Sequence, residues 1–422
     1  MPVELDKLPP KRVVPENPPS RQVWTVVFLV LTLAGIFAVL LLWPKDEPTN
    51  TPWFWSCVAV FPAGVAGFFV LRRFSVFEGQ RRDALEWNKA TDDYMNDMFD
   101  RASRPLDALT VAYRFSSDAD ENKFDGLLTG SLQLEPCALP KADTPPAKVR
   151  WFAQPDRDKD GRKHLQDEAR QADILRRVFG ELQDDLKKSI GSLPRQLPTS
   201  VRLIVSGSAL SANIVECWKQ SGAQRGLHLS NVCREPECLV PMWLDAWLDE
   251  IEQDRSQDAR LLVFVQLNPL LDKGPSEGSC EIALAMLLVP PALTNRYGLI
   301  PVAQVHRPER ATGKSLDATL TNALRWGRSA ATDVEGVWQS GLDLGSAGAM
   351  TAALVKSGIT IKPGDVDYMV GHAGIGASWF ALLCAIKSAA SGGTQLAVMK
   401  QDAELMFSVV RVPRSKPVNG NR

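Results

Sequence analysis

The chain has 422 residues, a formal net charge of −1 and a sequence pI near 6.5, so no global basic field invites nucleic acid. Its seven cysteines, Cys57, Cys137, Cys217, Cys233, Cys238, Cys280 and Cys384, are odd in number and lack dense spacing, which excludes a disulfide-stapled scaffold and fits reduced thiols. The tail Met1–Pro19 holds six prolines and few bulky apolar side chains, and residues 1–22 read as a disordered segment. Val23–Trp43 and Trp53–Leu71 then follow without a single charged residue. Each has the roughly 20 residues that a helix needs to cross a hydrocarbon core of about 30 Å. Trp24, Trp43, Trp53 and Trp55 sit at the ends, where amphipathic rings favour the membrane interface. Pro44, Pro48 and Pro52 break the joining turn, so 23–71 reads as a transmembrane helical hairpin rather than a cleaved leader. Lys7, Lys11, Arg12 and Arg21 precede it, and Arg72, Arg73, Arg81 and Arg82 follow it. Cationic flanks stay on the cytoplasmic side, so both termini and the soluble region are expected there, in a two-pass membrane protein.

Residues 72–104 read as a juxtamembrane helix that breaks at Arg104-Pro105. Residues 105–198 form the N-terminal part of the soluble region: a strand Leu106–Phe115, an acidic loop Asp118–Asp125, a Pro-rich stretch Pro136–Pro146, a charged turn Asp156–Lys163 and an amphipathic helix Gln166–Ile190. Residues 199–413 alternate in α/β fashion. Strands are expected at Val201–Ser206, Arg260–Leu267, Cys280–Val289, Val366–Val370, Gln395–Lys400 and Leu405–Val412. Helices are expected at Ala212–Ser221, Leu239–Gln253, Thr319–Arg328, Ala347–Ser357 and Ala377–Ala389. The unbroken apolar runs LLVFVQL and IALAMLLV predict strands covered on both faces. Thr199–Lys219 also echoes Gly364–Lys387, each a short apolar strand, small residues and a helix carrying Trp and Cys. The echo aligns Val201 with Val366 and points to a duplicated α/β unit, or to generic strand–turn–helix grammar.

The segment Met350–Gly376, MTAALVKSGITIKPGDVDYMVGHAGIG, resembles the ketoacyl-synthase branch of the thiolase-like superfamily. The matching residues are Leu354, Gly358, Ile359, Pro363, Asp365, Val366, Asp367, Tyr368 and His372, and Gly274–Val289 resembles a further strand of that branch. The resemblance covers roughly 199–412 and implies a duplicated α/β fold. The expected fold class is thus α/β, with two transmembrane helices followed by a thiolase-like duplicated domain. In catalysing relatives a Cys at a helix N-terminus is the nucleophile, its thiol pKa lowered by the helix field, with His partners. By spacing Cys238 takes that place before helix Leu239–Gln253, with His372 as its partner. Three departures argue against catalysis: REPECLVP carries Pro236 and Pro241 instead of small residues, no His follows His372, and the region that would hold one is short.

Other motifs fall away. Gly371–Gly376 offers amides for a phosphate nest, but no Lys-Ser/Thr follows, so it is not a Walker motif. Cys233-x4-Cys238 has only His228 nearby and no second ligand pair, so neither a metal nor a cofactor is expected. Ser206-Gly-Ser-Ala lacks the closing Gly of a nucleophile elbow. Trp243 and Trp247 stand four apart on one helix face, as core or as a partner groove. In overall layout the chain resembles the type VI secretion lipase-adaptor family. That resemblance implies a non-catalytic adaptor in a bacterial inner membrane, with a lipase-type effector and a secretion-spike protein as partners. The former active-site face or the Phe77–Tyr94 helix would engage the partner, and Trp243, Trp247 and His372 are the candidate contacts. The alternative is a membrane-anchored acyltransferase or condensing enzyme working on acyl thioesters through Cys238 and His372. A structural membrane component without a soluble client is a third reading.

Overall fold

The computed structural model describes residues 9–138, 145–152, 166–207, 213–227, 229, 231–253, 255–271, 274–311, 315–401 and 404–413. The charged turn Asp156–Lys163, His228, much of the Pro-rich stretch, the small residues after Gly207 and the residues beyond Pro413 lie outside them. The chain divides into two compact units, Glu4–Phe99 and the part from Asp100 onward.

In the first unit α1 (Arg21–Leu42) and α2 (Pro52–Ala102) form a hairpin, and both are long and apolar enough to cross a membrane. Gly35 lets the helices close: a Cβ there would stand 2.7 Å from Pro62 Cβ. Trp43 and Phe54 meet edge to face at 4.9 Å near the turn. Pro62 has no N–H for the carbonyl four residues earlier, and the preceding turn, Ser56–Val60, widens to π geometry. The span and the juxtamembrane helix expected over 72–104 are therefore one continuous helix. Residues 9–20, expected to be disordered, lie along it instead. Lys11 pairs with Asp92, Asn88 exchanges hydrogen bonds with the backbone of Arg12, and the Arg12 guanidinium stacks 4.1 Å over Trp87. A prolines-and-charges tail finds order here because one aromatic ring and one carboxamide give it partners that a lone segment lacks.

The second unit is built on one mixed sheet. Its main strands are β1 (Leu106–Arg114), β2 (Thr199–Ser206), β3 (Asn231–Arg234), β4 (Ala259–Gln266), β5 (Ile282–Val289), β6 (Ala303–Val305), β7 (Val334–Ser340), β8 (Gly364–Asp365), β9 (Thr394–Gln401) and β10 (Glu404–Arg411). They lie in the order β3-β2-β4-β5-β1-β6-β10-β9-β7-β8. In the first half β3, β2 and β4 are parallel, β5 is antiparallel to β4, and β1 antiparallel to β5. The second half repeats this: β8, β7 and β9 parallel, then β10 and β6 antiparallel in turn. The two halves join where β1 pairs antiparallel with β6, Leu106 opposite Val305 and Ala108 opposite Ala303. The strand assigned by sequence to a separate N-terminal part therefore sits at the centre of the sheet.

Helices repeat as the strands do: α3 (Asp167–Gly191), α4 (Ile214–Gln224) and α5 (Trp243–Glu252) in the first half, α6 (Leu316–Trp326), α7 (Leu344–Lys356) and α8 (Ala377–Ser391) in the second. Alternation along the strands sorts them. Val201, Leu203 and Val205 join α3 and α4 in a core on one face, and Val337, Leu396, Val398 and Phe407 join α6 and α7. Ile204, Leu262, Phe264, Leu284 and Met399 face the other way, into a core shared by both halves that holds α5 and α8. This double cover is why β5 is buried at every position, as its unbroken apolar run predicts. The duplication is real, but the sequence echo misplaces it. Val366–Val370 is a short helix, not a strand, because Asp365 caps it by accepting from the Tyr368 N–H. The counterpart of β2–α4 is β7–α7, whose strand VEGVWQS escapes notice through its Glu335 and Gly336.

A buried charge network closes one end of the first half. Arg170 on α3 and Glu281, both without exposed side-chain surface, meet at 2.5 Å. Glu281 also accepts the N–H groups of Phe152 and Asn268, and Arg170 donates to the Asn268 carbonyl. An ion left alone in such a place costs far more than the pair contributes. Arg170→Met should therefore lower stability by about 3–5 kcal/mol in denaturant unfolding. The double change with Glu281→Leu should recover only part, since two backbone donors lose their acceptor. An Arg170→Met protein as stable as the parent would show that the pair carries no weight.

Candidate active site

The mirrored topology gives two loops equivalent places: 235–242 leads from β3 to α5, and 371–376 leads from the short helix 366–370 to α8. Cys238 lies on the first loop and His372 on the second. The loops are tied through α8, where the Trp379 indole N–H donates to the Leu239 carbonyl at 2.9 Å and the Trp379 ring stacks on Phe264 at 4.6 Å. Leu239 is the residue after Cys238, so the thiol's loop is pinned to the helix that follows the imidazole's loop.

Cys238 is exposed, and it is not at a helix N-terminus as the spacing predicts. Tight turns from Val240 to Trp243 and from Pro241 to Leu244 delay α5 to Trp243, placing the thiol outside its first turn. The other thiols fit a nucleophile less well. Cys233 lies on β3 beside Arg202, and burial raises its pKa. Cys280 and Cys384 are fully buried, and desolvation pushes both thiols well up. His306 is buried, and desolvation followed by the nearby Arg411 charge pushes it down to about 3, so it stays neutral.

His372 is held by its backbone, donating to the Gly278 carbonyl at 2.7 Å and accepting from the Cys280 N–H at 3.0 Å. Its side chain is half exposed, with Nδ1 3.6 Å from Asp367 Oδ2. Asp367 is itself fixed by the Ser340 hydroxyl at 2.9 Å and the Gly341 N–H at 2.6 Å. That carboxylate raises the His372 pKa above the ordinary histidine value, with desolvation opposing it. Gln266, at the end of β4, accepts the Ile375 N–H at 3.2 Å. Gly374 has φ +51°, and any Cβ there would collide with the Gln266 side chain. The glycine-rich turn thus closes against the sheet edge, and its Ile375 and Gly376 amides are already bonded within the protein rather than offered to a phosphate.

The structure brings the loops of Cys238 and His372 onto one helix but forms no hydrogen bond between the two side chains. Trp247 is 1% exposed and Trp243 part-buried, their rings 5.6 Å apart under the Arg260 guanidinium. They pack as core, and the Trp247 ring offers a partner no surface. Three residues were not singled out for roles by sequence: Asp367, Gln266 and Trp379. The paired carboxylates of GDVDY were the available signal for Asp367. Nothing local marked Gln266 or Trp379, whose partners lie more than 100 residues away. Among the described residues no group of three His, Cys, Asp or Glu side chains is placed to hold a metal.

No protein-family model matches the sequence, and no curated protein does. Solved structures do match. The ketosynthase from module 1 of the bacillaene synthase of Bacillus amyloliquefaciens is similar over 75% of this chain and 77% of its own, with 11% identity and a TM-score of 0.50. Ketosynthase twelve of the bacillaene polyketide synthase of the same organism is similar over 74% of each chain, with 12% identity and a TM-score of 0.50. The second unit has a thiolase-like α/β fold. This corrects the expectation of a non-catalytic effector adaptor: the solved structures that match are ketosynthases, and the likeness is one of fold.

A raised imidazole pKa stabilises the fold while the ring is protonated, below the ordinary histidine range, and that contribution fades as pH rises through the raised value. An NMR titration of His372 should therefore shift to lower pH in Asp367→Asn. An unchanged titration would show that Asp367 does not govern the ring.

Proposed function

We propose that the chain is a membrane-attached enzyme of the condensing and acyl-transfer class, which loads an acyl group from a thioester onto Cys238 with His372 as general base. The observation that carries this reading is the Trp379–Leu239 hydrogen bond, which anchors the loop of the exposed thiol to the helix behind His372. The ketosynthase likeness supports it at the level of fold.

On this reading His372 takes the Cys238 proton, and the thiolate attacks the thioester carbonyl. The tetrahedral adduct expels the carrier thiolate, which regains the proton from the imidazolium, leaving an acyl-enzyme. Asp367, lying toward Nδ1, orients the ring and leaves Nε2 for this exchange. Thiol and imidazole are not paired in the resting protein; catalytic contacts in unliganded enzymes are often long. The chain holds a single histidine at this site, so acyl transfer, which needs one base, fits better than a decarboxylative condensation. No effector or spike protein enters this reading. The cationic flanks of the hairpin support a cytoplasmic side for both termini and the enzymatic unit.

Incubating the purified full-length protein with octanoyl-CoA and measuring intact mass tests the proposal. One octanoyl addition is expected, located on the Cys238 peptide and absent from Cys238→Ala. His372→Ala should slow its appearance by about 10²-fold or more. Equal acylation of Cys238→Ala, or none in the parent, overturns it.

A further inference from the structure

On the opposite face of the sheet from Cys238 and His372, a cavity of about 420 Å³ opens between α3, α4 and the side chains of Leu227 and Leu229. Ile190, Trp218, Leu227 and Leu229 give it apolar walls, and Lys219 stands at its exposed rim. Gln183 also lines it. This side chain is 1% exposed; its Nε2 donates to the Trp218 carbonyl at 3.0 Å, while its Oε1 has no hydrogen-bond partner. A buried carboxamide oxygen without a donor is costly, and native interiors seldom leave one. Here the unmet acceptor belongs to a side chain that lines an accessible apolar space. The α3–α4 contact shapes this space, with Phe179 edge-on to Trp218 at 5.0 Å and Arg225 tied to Asp184 and Ser221.

We infer that this cavity is a binding site for a small aromatic acid carrying one hydroxyl or N–H donor. The aromatic body fills the space beside Trp218, Leu227 and Leu229. The donor satisfies Gln183 Oε1, and the carboxylate lies toward the Lys219 ammonium at the rim. Each part of the ligand answers a feature already present: apolar walls, an unmet acceptor and a cation. The site does not depend on acyl transfer at Cys238, because the strands that separate the two cores alternate their side chains between them. Bound ligand would bridge α3, α4 and the side chains of Leu227 and Leu229, stabilising the first half from outside its reactive face.

The test uses 6-hydroxy-2-naphthoate and 6-methoxy-2-naphthoate, which share a ring and a carboxylate but differ in the donor. Isothermal titration of the full-length protein in detergent should show the hydroxy acid binding at least about ten-fold tighter than the methoxy acid. Gln183→Met should erase that difference. Lys219→Ala, on an exposed helix face, should weaken both acids alike and leave the difference intact. Equal affinity of the two acids for the parent protein, or binding of neither, overturns the inference, as does a preference that survives Gln183→Met.

Discussion

The antiparallel pairing of β1 with β6 is the contact on which the rest of the soluble unit depends. Three residue pairs in register join two half-sheets that would otherwise each end in an open edge at β1 and β6. Because the strand pattern on one side repeats on the other, the join creates one continuous face spanning both halves. That face buries most of the apolar helix α8. Its residues Trp379, Phe380, Leu382, Leu383 and Ile386 are all at or below 1% exposure. By length and composition α8 and the turn before it resemble a membrane span, yet most of that segment is buried in the protein. The same apolar chemistry is thus left exposed in α1 and buried in α8, and the doubly covered sheet accounts for the difference.

Sharing a core also couples the halves through polar contacts. Arg307, just after β6, is 1% exposed and reaches back to Asp245 at 2.5 Å and Asp249 at 2.7 Å on α5. In the reverse direction α8 holds the Leu239 carbonyl and stacks on Phe264 of the first half. Each half therefore clasps the other's central helix, and both clasps involve buried groups whose loss would strand a charge or a carbonyl. These clasps place the loops that precede α5 and α8 on one shared scaffold.

What the scaffold presents at those loops is half prepared. His372 is fixed at its backbone and oriented by a carboxylate that is itself doubly bonded, an arrangement of base and orienter that general base chemistry uses. Cys238 has no such support: it is exposed on a turn, with Pro236 and Pro241 on either side. In the proposed acyl transfer the rigid partner is the base and the exposed one the nucleophile, so the thiol is the group left to be brought into place by ligand binding.

Local chemistry made much of this legible. The charge-free 20-residue runs and the prolines between them predict the helical hairpin, because helix length and apolarity are properties of a segment. Unbroken apolar strands announce a sheet covered twice, and PGDVDY leading to His372 marks the thiolase-like half. What the sequence left unread is consistently non-local. It set β1 apart from the domain whose centre it occupies, since its pairing partners lie some 180 residues away. It aligned the duplication on matching turns rather than on sheet position, and took 366–370 for a strand because four of five residues there are apolar or aromatic. Residue types determined by themselves most of the helices and strands, the two runs apolar enough to span a membrane, and which side chains have reactive chemistry. Only the tertiary structure decided which of them meet. A hydrogen bond such as that from Trp379 to Leu239 joins positions 140 residues apart, and no period in the chain encodes it.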